Sequence, residues 1–407
     1  MDAKKTSGLQ YWQTIVILFC LGWLAIWIYR SALPPVYGEI QAAFGVSSDV
    51  GMGAIASLYF LPYAALQIPA GLLMDRFGAK AVLVPSFALF AVAALIIGSA
   101  TSLTMVYLGS FCAGIGSSAF YSGAYAISGK TVPVSRRTFA TAIINSGTGI
   151  GMAIGLIGSS WLVKSLELPW NASLYACAGV ILFTMACFAW FIRPETRETG
   201  GNGKGAAETE PEDPAAKTTL FSLRSFSSYL LNFANSYAYY MLVAWLPNFL
   251  ETERGFQGVA IGMAAALVGI AAIPGALFFS RLADRFHAKR LELLIFLEIC
   301  SILTLLLVVA APTPGLLLLG LILYGFSGKL AADALMVAHV IEGASRERLS
   351  TYLATFNFFA MSSSVAAPLV TGLISDAFHS KAGGFYVCVC LLAVGTVVFL
   401  LVNRRRG

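Results

Sequence analysis

The sequence predicts an all-α membrane protein with twelve transmembrane helices arranged as two six-helix pseudo-repeats. Apolar runs of about 20 residues, the length that a helix needs to cross the hydrocarbon core of a bilayer, recur along the chain. Of the 407 residues, 58% are hydrophobic and 11% are charged, whereas a soluble domain carries roughly 25% charged residues. A charged motif also occurs twice, half a chain apart. We therefore expect a chain embedded in a lipid bilayer and built from two related halves.

The predicted spans fall into two groups of six, separated by a polar segment. In the N-terminal six-helix bundle, residues 1–192, the spans cover residues 11–37, 50–73, 81–100, 104–128, 138–163 and 171–192. In the C-terminal six-helix bundle, residues 223–407, they cover residues 225–249, 257–280, 291–311, 314–340, 350–376 and 383–402. The segment 193–222 is rich in Gly, Glu, Pro and Lys. It cannot bury a core and is predicted to be a flexible cytoplasmic linker.

The distribution of Lys and Arg predicts the orientation. If both termini are cytoplasmic, only Lys164, Arg254 and Lys381 of the 26 basic residues lie in outside loops; Arg30 and Lys329 lie within spans. All the others lie in cytoplasmic segments, as the positive-inside rule requires. The bias also requires an even number of crossings, and it explains the net charge of +6 without a nucleic-acid partner. The polar N-terminus and the long first span indicate a multi-pass inner-membrane protein without a cleaved signal.

One charged turn separates the second and third spans. It begins at Gly71, continues through Asp75, Arg76 and Gly78, and ends at Lys80. The two glycines allow close backbone approach where two helices meet. The carboxylate of Asp75 can bind a helix N-terminus or an arginine of a neighbouring helix. These features favour a gating contact, although Arg76 and Lys80 are also explained as cytoplasmic topology charges.

A second copy of the turn lies in the other half. Asp284 and Arg285 follow Asp75 and Arg76 by 209 residues. Ser280 and His287 stand where the first copy has glycines, so we expect the second turn to be less tightly constrained. The repetition predicts that the two halves are related by a parallel repeat.

This combination resembles the major facilitator superfamily, whose best-known signature is the charged turn between helices two and three. The resemblance implies two six-helix bundles that expose a central site to alternate sides of the membrane. It further implies that contacts of the charged turn lock the cytoplasmic ends of the halves in the outward-open state.

Charged residues inside spans are the first candidates for substrate binding and proton coupling, because a charge at a helix centre costs about 3 kcal/mol or more. Arg30 lies late in the first span and offers a fixed fork for a carboxylate or phosphate; alternatively, it extends to the membrane interface. Lys329 and Asp333 lie four residues apart in the tenth span. They either neutralise each other or serve as an anion contact and a proton-coupling carboxylate. Glu298 in the ninth span is a second proton-coupling candidate.

Uncharged polar residues form rows at helical spacing and complete the predicted cavity. Each row alone is typical of contacts between helices, and together with Arg30 and Asp333 the rows predict one central polar site. The predicted substrate-binding residues among them are Tyr59 and Tyr63 in the second span, Tyr121 and Tyr125 in the fourth, Asn145 in the fifth, Asn232, Asn235 and Tyr239 in the seventh, and Asn357 in the eleventh. By the family resemblance, helices one, four, seven and ten line the cavity.

The segment from Arg30 through Lys80 also resembles the organic anion:cation symporter branch of the superfamily. The residues that carry the likeness are Arg30 with the Ala-Leu-Pro-Pro stretch at 32–35, Phe-Gly-Val-Ser at 44–47, Gln-Ile-Pro at 67–69 and the charged turn. The resemblance implies import of carboxylates, sugar acids and related metabolites with protons. Tyr29 precedes Arg30 and no acidic residue stands beside it in the first span, so another carboxylate, first of all Asp333, would carry the proton.

The leading prediction is therefore a secondary active transporter of a small organic anion or zwitterionic metabolite, coupled to protons and acting as a monomer. One alternative is an exporter of drug-like or siderophore-like compounds, favoured by the aromatic lining. Another is a membrane receptor that keeps the fold without transport. An enzyme is not predicted, because the chain has no catalytic triad, metal-ligand spacing or phosphate loop. We expect no cofactor and no metal, and the seven cysteines are interpreted as packing residues.

Overall fold

A computed structural model describes residues 10–133, 136–193, 222–286, 289–343 and 349–403. The long helices of the first half are α1 (Tyr11–Ala32), α2 (Tyr37–Phe44), α3 (Asp49–Phe77), α4 (Ala79–Gly98), α5 (Leu103–Thr131), α6 (Arg137–Ser160) and α7 (Ala172–Phe191). Those of the second half are α8 (Leu223–Thr252), α9 (Val259–Arg285), α10 (Arg290–Ala310), α11 (Pro314–Ser327), α12 (Lys329–Gly343), α13 (Leu349–Phe378) and α14 (Ala382–Asn403). Within these ranges the regular structure is entirely helical, which confirms the all-α prediction.

Eleven helical segments of the described chain are long and apolar enough to cross a membrane. They correspond to the predicted spans with the exception of the seventh. That span is α8, a helix of 30 residues. It is long enough to cross a membrane, but its mean hydropathy is too low because it carries many Ser, Asn and Tyr residues. The polar side chains of α8 are buried against other helices instead of facing lipid, so its polar composition reflects a central position in the bundle.

Two predicted spans are interrupted. The first is followed by a short 3₁₀ turn, Pro34–Val36, and by α2, since proline supports a tight turn but cannot continue the hydrogen-bond ladder of a helix. The tenth span is divided at Gly328, where ψ is −142°. A Cβ atom at Gly328 would stand 2.5 Å from the Tyr324 carbonyl oxygen. The break places Lys329 at the first turn of a new helix.

The two halves meet along two pairs of helices, α3 with α13 and α6 with α9. Small residues bring the backbones together: a Cβ atom at Gly53 would lie 2.3 Å from the Pro368 carbonyl, and one at Gly262 would lie 2.2 Å from the Leu156 carbonyl. These contacts lie toward the end of the bundle formed by residues 44–49, 164–171, 251–258 and 378–382, which we call the sealed end. The opposite end, with the charged turns, we call the open end.

Close packing also holds each half together, and it leads to a stability prediction. A Cβ atom at Gly275 of α9 would lie 1.9 Å from the Phe326 carbonyl oxygen of α11. We expect Gly275→Ala to lower the free energy of unfolding by roughly 1–3 kcal/mol, the usual cost of overpacking. Gly179→Ala is the matched control, because nothing lies within 4 Å of a Cβ atom there. Thermal unfolding in detergent measures both, and equal melting temperatures would contradict the prediction.

Candidate functional site

Arg30 lies under a cage of aromatic rings in the middle of the first half. Its guanidinium carbon is 4.4 Å from the ring centroid of Tyr63 and 5.2 Å from that of Tyr59. Phe60 and Trp27 complete the cage at 5.1 and 5.2 Å. Cation–π attraction stabilises a guanidinium in such a position. The side chain is therefore held within the bundle and does not extend to the membrane interface.

A chain of hydrogen bonds orients the guanidinium. Arg30 Nε donates to the Tyr59 hydroxyl at 3.0 Å, and the hydroxyls of Tyr59 and Ser117 lie 2.8 Å apart. Ser117 Oγ also donates to the Gly114 carbonyl at 3.3 Å, so the Tyr59 proton points to Ser117. Arg30 Nη2 is buried without a hydrogen-bond partner among the described residues. This donor is thus without an acceptor within the described part of the chain.

A cavity begins beyond this cage, toward the open end. It has a volume of about 460 Å³ and is lined by Gln67, Ile68, Gly71, Leu72, Tyr121, Ser122, Leu353 and Asn357. Arg30 itself is not in its lining. We nevertheless assign the cavity and Arg30 to one pathway because the α3 row continues from Tyr59 and Tyr63 to Gln67, and the α5 row continues from Ser117 to Tyr121.

The structure brings several other predicted residues to the wall of this pathway. Asn357 and Tyr121 line the cavity from opposite halves, and Tyr121 packs on Tyr125 with ring centroids 4.8 Å apart. The Tyr125 hydroxyl donates to Asn145 Oδ1. Polar groups of both halves therefore line the space between the open end and Arg30.

The predicted residues of α8 lie deeper and mostly contact other helices. Asn232 Nδ2 donates to the Phe356 carbonyl of α13 at 2.9 Å. Asn232 therefore makes a contact between helices, which was the alternative to substrate binding in the sequence analysis. The Tyr239 hydroxyl contacts Met152 Sδ at 3.6 Å, and its ring packs edge-on against Trp27. Through Trp27, Tyr239 reaches the Arg30 cage from the second half.

Glu298 of α10 is fully buried and lies against α8. Its Oε1 accepts a hydrogen bond from Asn235 Nδ2 at 2.8 Å, and its Oε2 has no hydrogen-bond partner in the described part of the chain. A buried carboxyl oxygen without a partner is costly, and a proton on that oxygen would remove the charge.

Lys329 and Asp333 pair with each other. Lys329 Nζ lies 2.9 Å from Asp333 Oδ1 and 2.8 Å from Oδ2, the geometry of the self-neutralising alternative. The side chain of Asp333 is 39% exposed, so water can reach the pair. In this conformation Asp333 forms an ion pair with Lys329. Glu298, in contrast, has no basic hydrogen-bond partner among the described residues.

The charged turns lie at the open end. Gly78 has a φ of 85°, in the region that favours glycine, and Gly71 lines the cavity. Arg76 is exposed and Lys80 is half-buried.

In the second turn, Arg285 is exposed and stacks over the Phe286 ring. The side chains of Asp75 and Asp284 lie outside the described residues. The lock between the charged turns therefore stays a prediction. Among the described residues, the hydrogen bonds that join the halves lie between the middle of the bundle and the sealed end. The cavity lined by Gly71, Leu353 and Asn357 lies between the halves toward the open end.

Sequence reasoning missed half of the aromatic cage. Trp27 and Phe60 were not predicted, nor was Tyr240, whose ring lies 5.0 Å from that of Phe60 across the halves. Within apolar spans such residues are indistinguishable from packing residues. The one available signal was their helical spacing, since Trp27 precedes Arg30 by three residues and Phe60 precedes Tyr63 by three.

Comparison with known proteins gives a family. A family model described as Major Facilitator Superfamily matches residues 15–328 and 228–407. A probable sulfoacetate transporter of Cupriavidus necator is 25% identical over 68% of this chain and 65% of its own length. A probable L-galactonate transporter of Escherichia coli (strain K12) is 24% identical over 96% of this chain and 89% of its own length.

A solved structure has the same fold. The crystal structure of a bacterial homolog of the human lysosomal transporter Spinster, inward-facing and occupied, superposes with a TM-score of 0.81 over 98% of both chains at 14% identity. With the family match, this confirms the predicted resemblance and the prediction that the protein is not an enzyme.

Proposed function

We propose that this chain, which belongs to the major facilitator superfamily, is a secondary active transporter that moves a small organic anion across the inner membrane by alternating access. The observation that carries the proposal is Arg30, a permanently charged group buried in an aromatic cage whose Nη2 is unpaired among the described residues. An anion with a carboxylate or sulfonate group supplies the missing acceptor in the fork geometry that arginine prefers.

The relatives support the same class of substrate. Both similar transporters are named for an organic acid anion, one for L-galactonate and the other for sulfoacetate. In the proposed site, Arg30 binds the acid group, and Tyr63, Tyr121 and Asn357 contact the remainder of the molecule. Tyr59 holds the guanidinium in place.

The proposed architecture is twelve spans in two six-helix bundles, residues 1–192 and 223–407, joined by residues 193–222. Both termini are then cytoplasmic, because the alternative would place most of the Lys and Arg outside. In this orientation the open end faces the cytoplasm. The charged turns at Asp75 and Asp284 would lock that end in the opposite, outward-open state.

Proton coupling is the second part of the proposal. Glu298 is the preferred carrier, because its Oε2 is buried and unpaired among the described residues while Asp333 is held by Lys329. Asp333 takes over this role if Lys329 turns to the substrate in another state.

A thermal-shift screen of the purified protein tests the proposal. We expect L-galactonate or sulfoacetate to raise the melting temperature in proportion to the logarithm of ligand concentration above the dissociation constant. Uncharged sugars such as galactose serve as the matched comparison. Equal shifts with galactose and L-galactonate would contradict an anion site, and uptake into proteoliposomes would distinguish a transporter from a receptor.

A further inference from the structure

The N-terminus of α3 is capped by a residue of the other half. The backbone N–H of Asp49 donates to Asp376 Oδ1 at 2.6 Å and that of Val50 donates to Asp376 Oδ2 at 3.2 Å. The hydroxyl of Ser48 adds a third bond to Oδ2 at 2.7 Å. The first N–H groups of a helix have no partner within it, and a carboxylate beside them is further favoured by the helix dipole. Asp376 belongs to the last turns of α13, so this cap forms only while the two halves touch.

The carboxylate of Asp49, which belongs to the first half, is in turn bound by residues of the second half. Its Oδ2 accepts the hydroxyl of Ser375 at 2.6 Å and lies 2.9 Å from Lys381 Nζ, and both of those residues belong to the second half. Neighbouring carboxylates would repel each other, but here Lys381 neutralises one and the α3 N-terminus stabilises the other. Each half therefore supplies partners for the other half's aspartate, and Gln41 Nε2 of the first half also donates to Asp49 Oδ1 at 3.0 Å.

A repeat-related contact caps α9. This helix starts after Gly258, which has a φ of 57° and no side chain to cap with. The N–H of Val259 donates instead to Ser165 Oγ of the first half at 3.0 Å. Ser165 and Asp376 are separated by 211 positions, and Asp49 and Val259 by 210. Both separations are close to the 209 positions between the charged turns, so the two caps occupy equivalent places in the two halves.

An ionic contact adjoins the second cap. Lys164 Nζ lies 2.8 Å from Glu39 Oε1 of its own half and also pairs with Glu251 of the other half. The Lys164 side chain is 7% exposed, whereas those of Glu39 and Glu251 are 33% and 31% exposed. The bonds between halves thus concentrate on the beginnings of α3 and α9.

We propose that Asp376 and Ser165 form a conformational latch that holds the sealed end closed by capping α3 and α9 from the opposite half. Opening of this end removes both caps together, and α3 then keeps only the bond from the Gly51 N–H to Ser48 Oγ at 3.4 Å. The latch is unequal, because Asp376 supplies a charged cap with three hydrogen bonds whereas Ser165 supplies one neutral bond. Asp376 thus contributes more to the preference for the closed sealed end. This inference rests on the proposed alternating access.

A reporter cysteine measures the opening of the sealed end. Tyr37 is 1% exposed, and its ring packs on Trp245 of the other half at 5.7 Å, so Tyr37→Cys in a variant without the seven native cysteines is labelled only when that end opens. We expect Asp376→Ala to accelerate maleimide labelling about fivefold to tenfold, the effect of losing a strong helix cap. We expect Ser165→Ala to accelerate it about twofold, and Asp376→Asn, which keeps one acceptor oxygen, to lie between them.

Ser380→Ala is the matched control. Ser380 lies at the same end, but its hydroxyl donates to Glu253 within its own half at 2.9 Å, so its removal should leave the labelling rate unchanged. Amide hydrogen exchange at residues 49 and 50 verifies that the cap has been removed. Faster exchange in Asp376→Ala with an unchanged labelling rate would overturn the latch, since the cap would then be local only.

The same reporter separates this inference from the proposed function. If the latch is wrong but the function is right, L-galactonate still changes the labelling rate of the reporter in the otherwise unaltered chain. If organic acids fail to change that rate and also fail to shift the melting temperature, the proposed function is wrong, whatever Asp376→Ala does.

Discussion

Replacement of Arg30 by alanine is expected to weaken the binding of organic acids strongly. Loss of one partner from a buried charge pair costs at least about 2 kcal/mol, which corresponds to an affinity about 30-fold lower. Arg30→Lys should recover only part of the affinity, because an ammonium group is a point charge and cannot present the fork that Tyr59 orients. The measurement is the dissociation constant for L-galactonate, with uptake into proteoliposomes as a second readout.

Arg281→Ala provides the control for the loss of a positive charge. Arg281 is exposed on α9 at the open end, so its removal changes the net charge equally without touching the aromatic cage. Normal affinity in Arg30→Ala would refute the assignment of the anion site. Equal losses in both variants would mean that the effect comes from the overall electrostatic potential.

Replacement of Glu298 by glutamine is expected to uncouple transport from the proton gradient. The introduced amide would retain an oxygen for Asn235 but could not exchange a proton. One pH unit is worth 1.36 kcal/mol, so symport of one proton with one anion sustains a concentration ratio of about tenfold per pH unit. We expect Glu298→Gln to reduce this ratio to about one while exchange of internal for external substrate continues.

Two further variants sharpen the test of coupling. Glu292→Gln removes an exposed carboxylate from the first turn of the same helix and should leave accumulation intact. Asp333→Asn removes the partner of Lys329. If accumulation survives in Glu298→Gln and is lost in Asp333→Asn, Asp333 is the proton carrier and our preference for Glu298 is wrong.

Most helix positions followed from the sequence, because the signal for a span is local. An apolar run of sufficient length satisfies its own backbone hydrogen bonds as a helix, and this places α3, α4 and α14 within a few residues of the prediction. The break at Gly328 was missed, since a glycine inside an apolar run also fits a continuous helix. Despite its mixed composition, α8 was read correctly as a long helix because it stands in a repeated pattern.

The candidate site was predicted in its charges but not in its contacts. Arg30, Glu298, Lys329 and Asp333 stand out in the sequence because charge is rare within spans. Their partners do not stand out: Tyr59 is 29 positions from Arg30, and Asn235 is 63 positions from Glu298. Such pairings depend on how the helices rotate and pack, which no helical periodicity specifies.

The sequence by itself determined the membrane-embedded helices, the duplicated charged turn and the short set of intramembrane charges, because each depends on composition or local spacing. Only the tertiary structure decided that Arg30 is caged, that Lys329 holds Asp333, and that Asp376 caps α3 from 327 positions away. The physical reason is that a helix forms its backbone bonds within a few residues. Its N-terminal groups and buried charges must instead find partners in space, and those partners come from whichever helix end the packed bundle brings near.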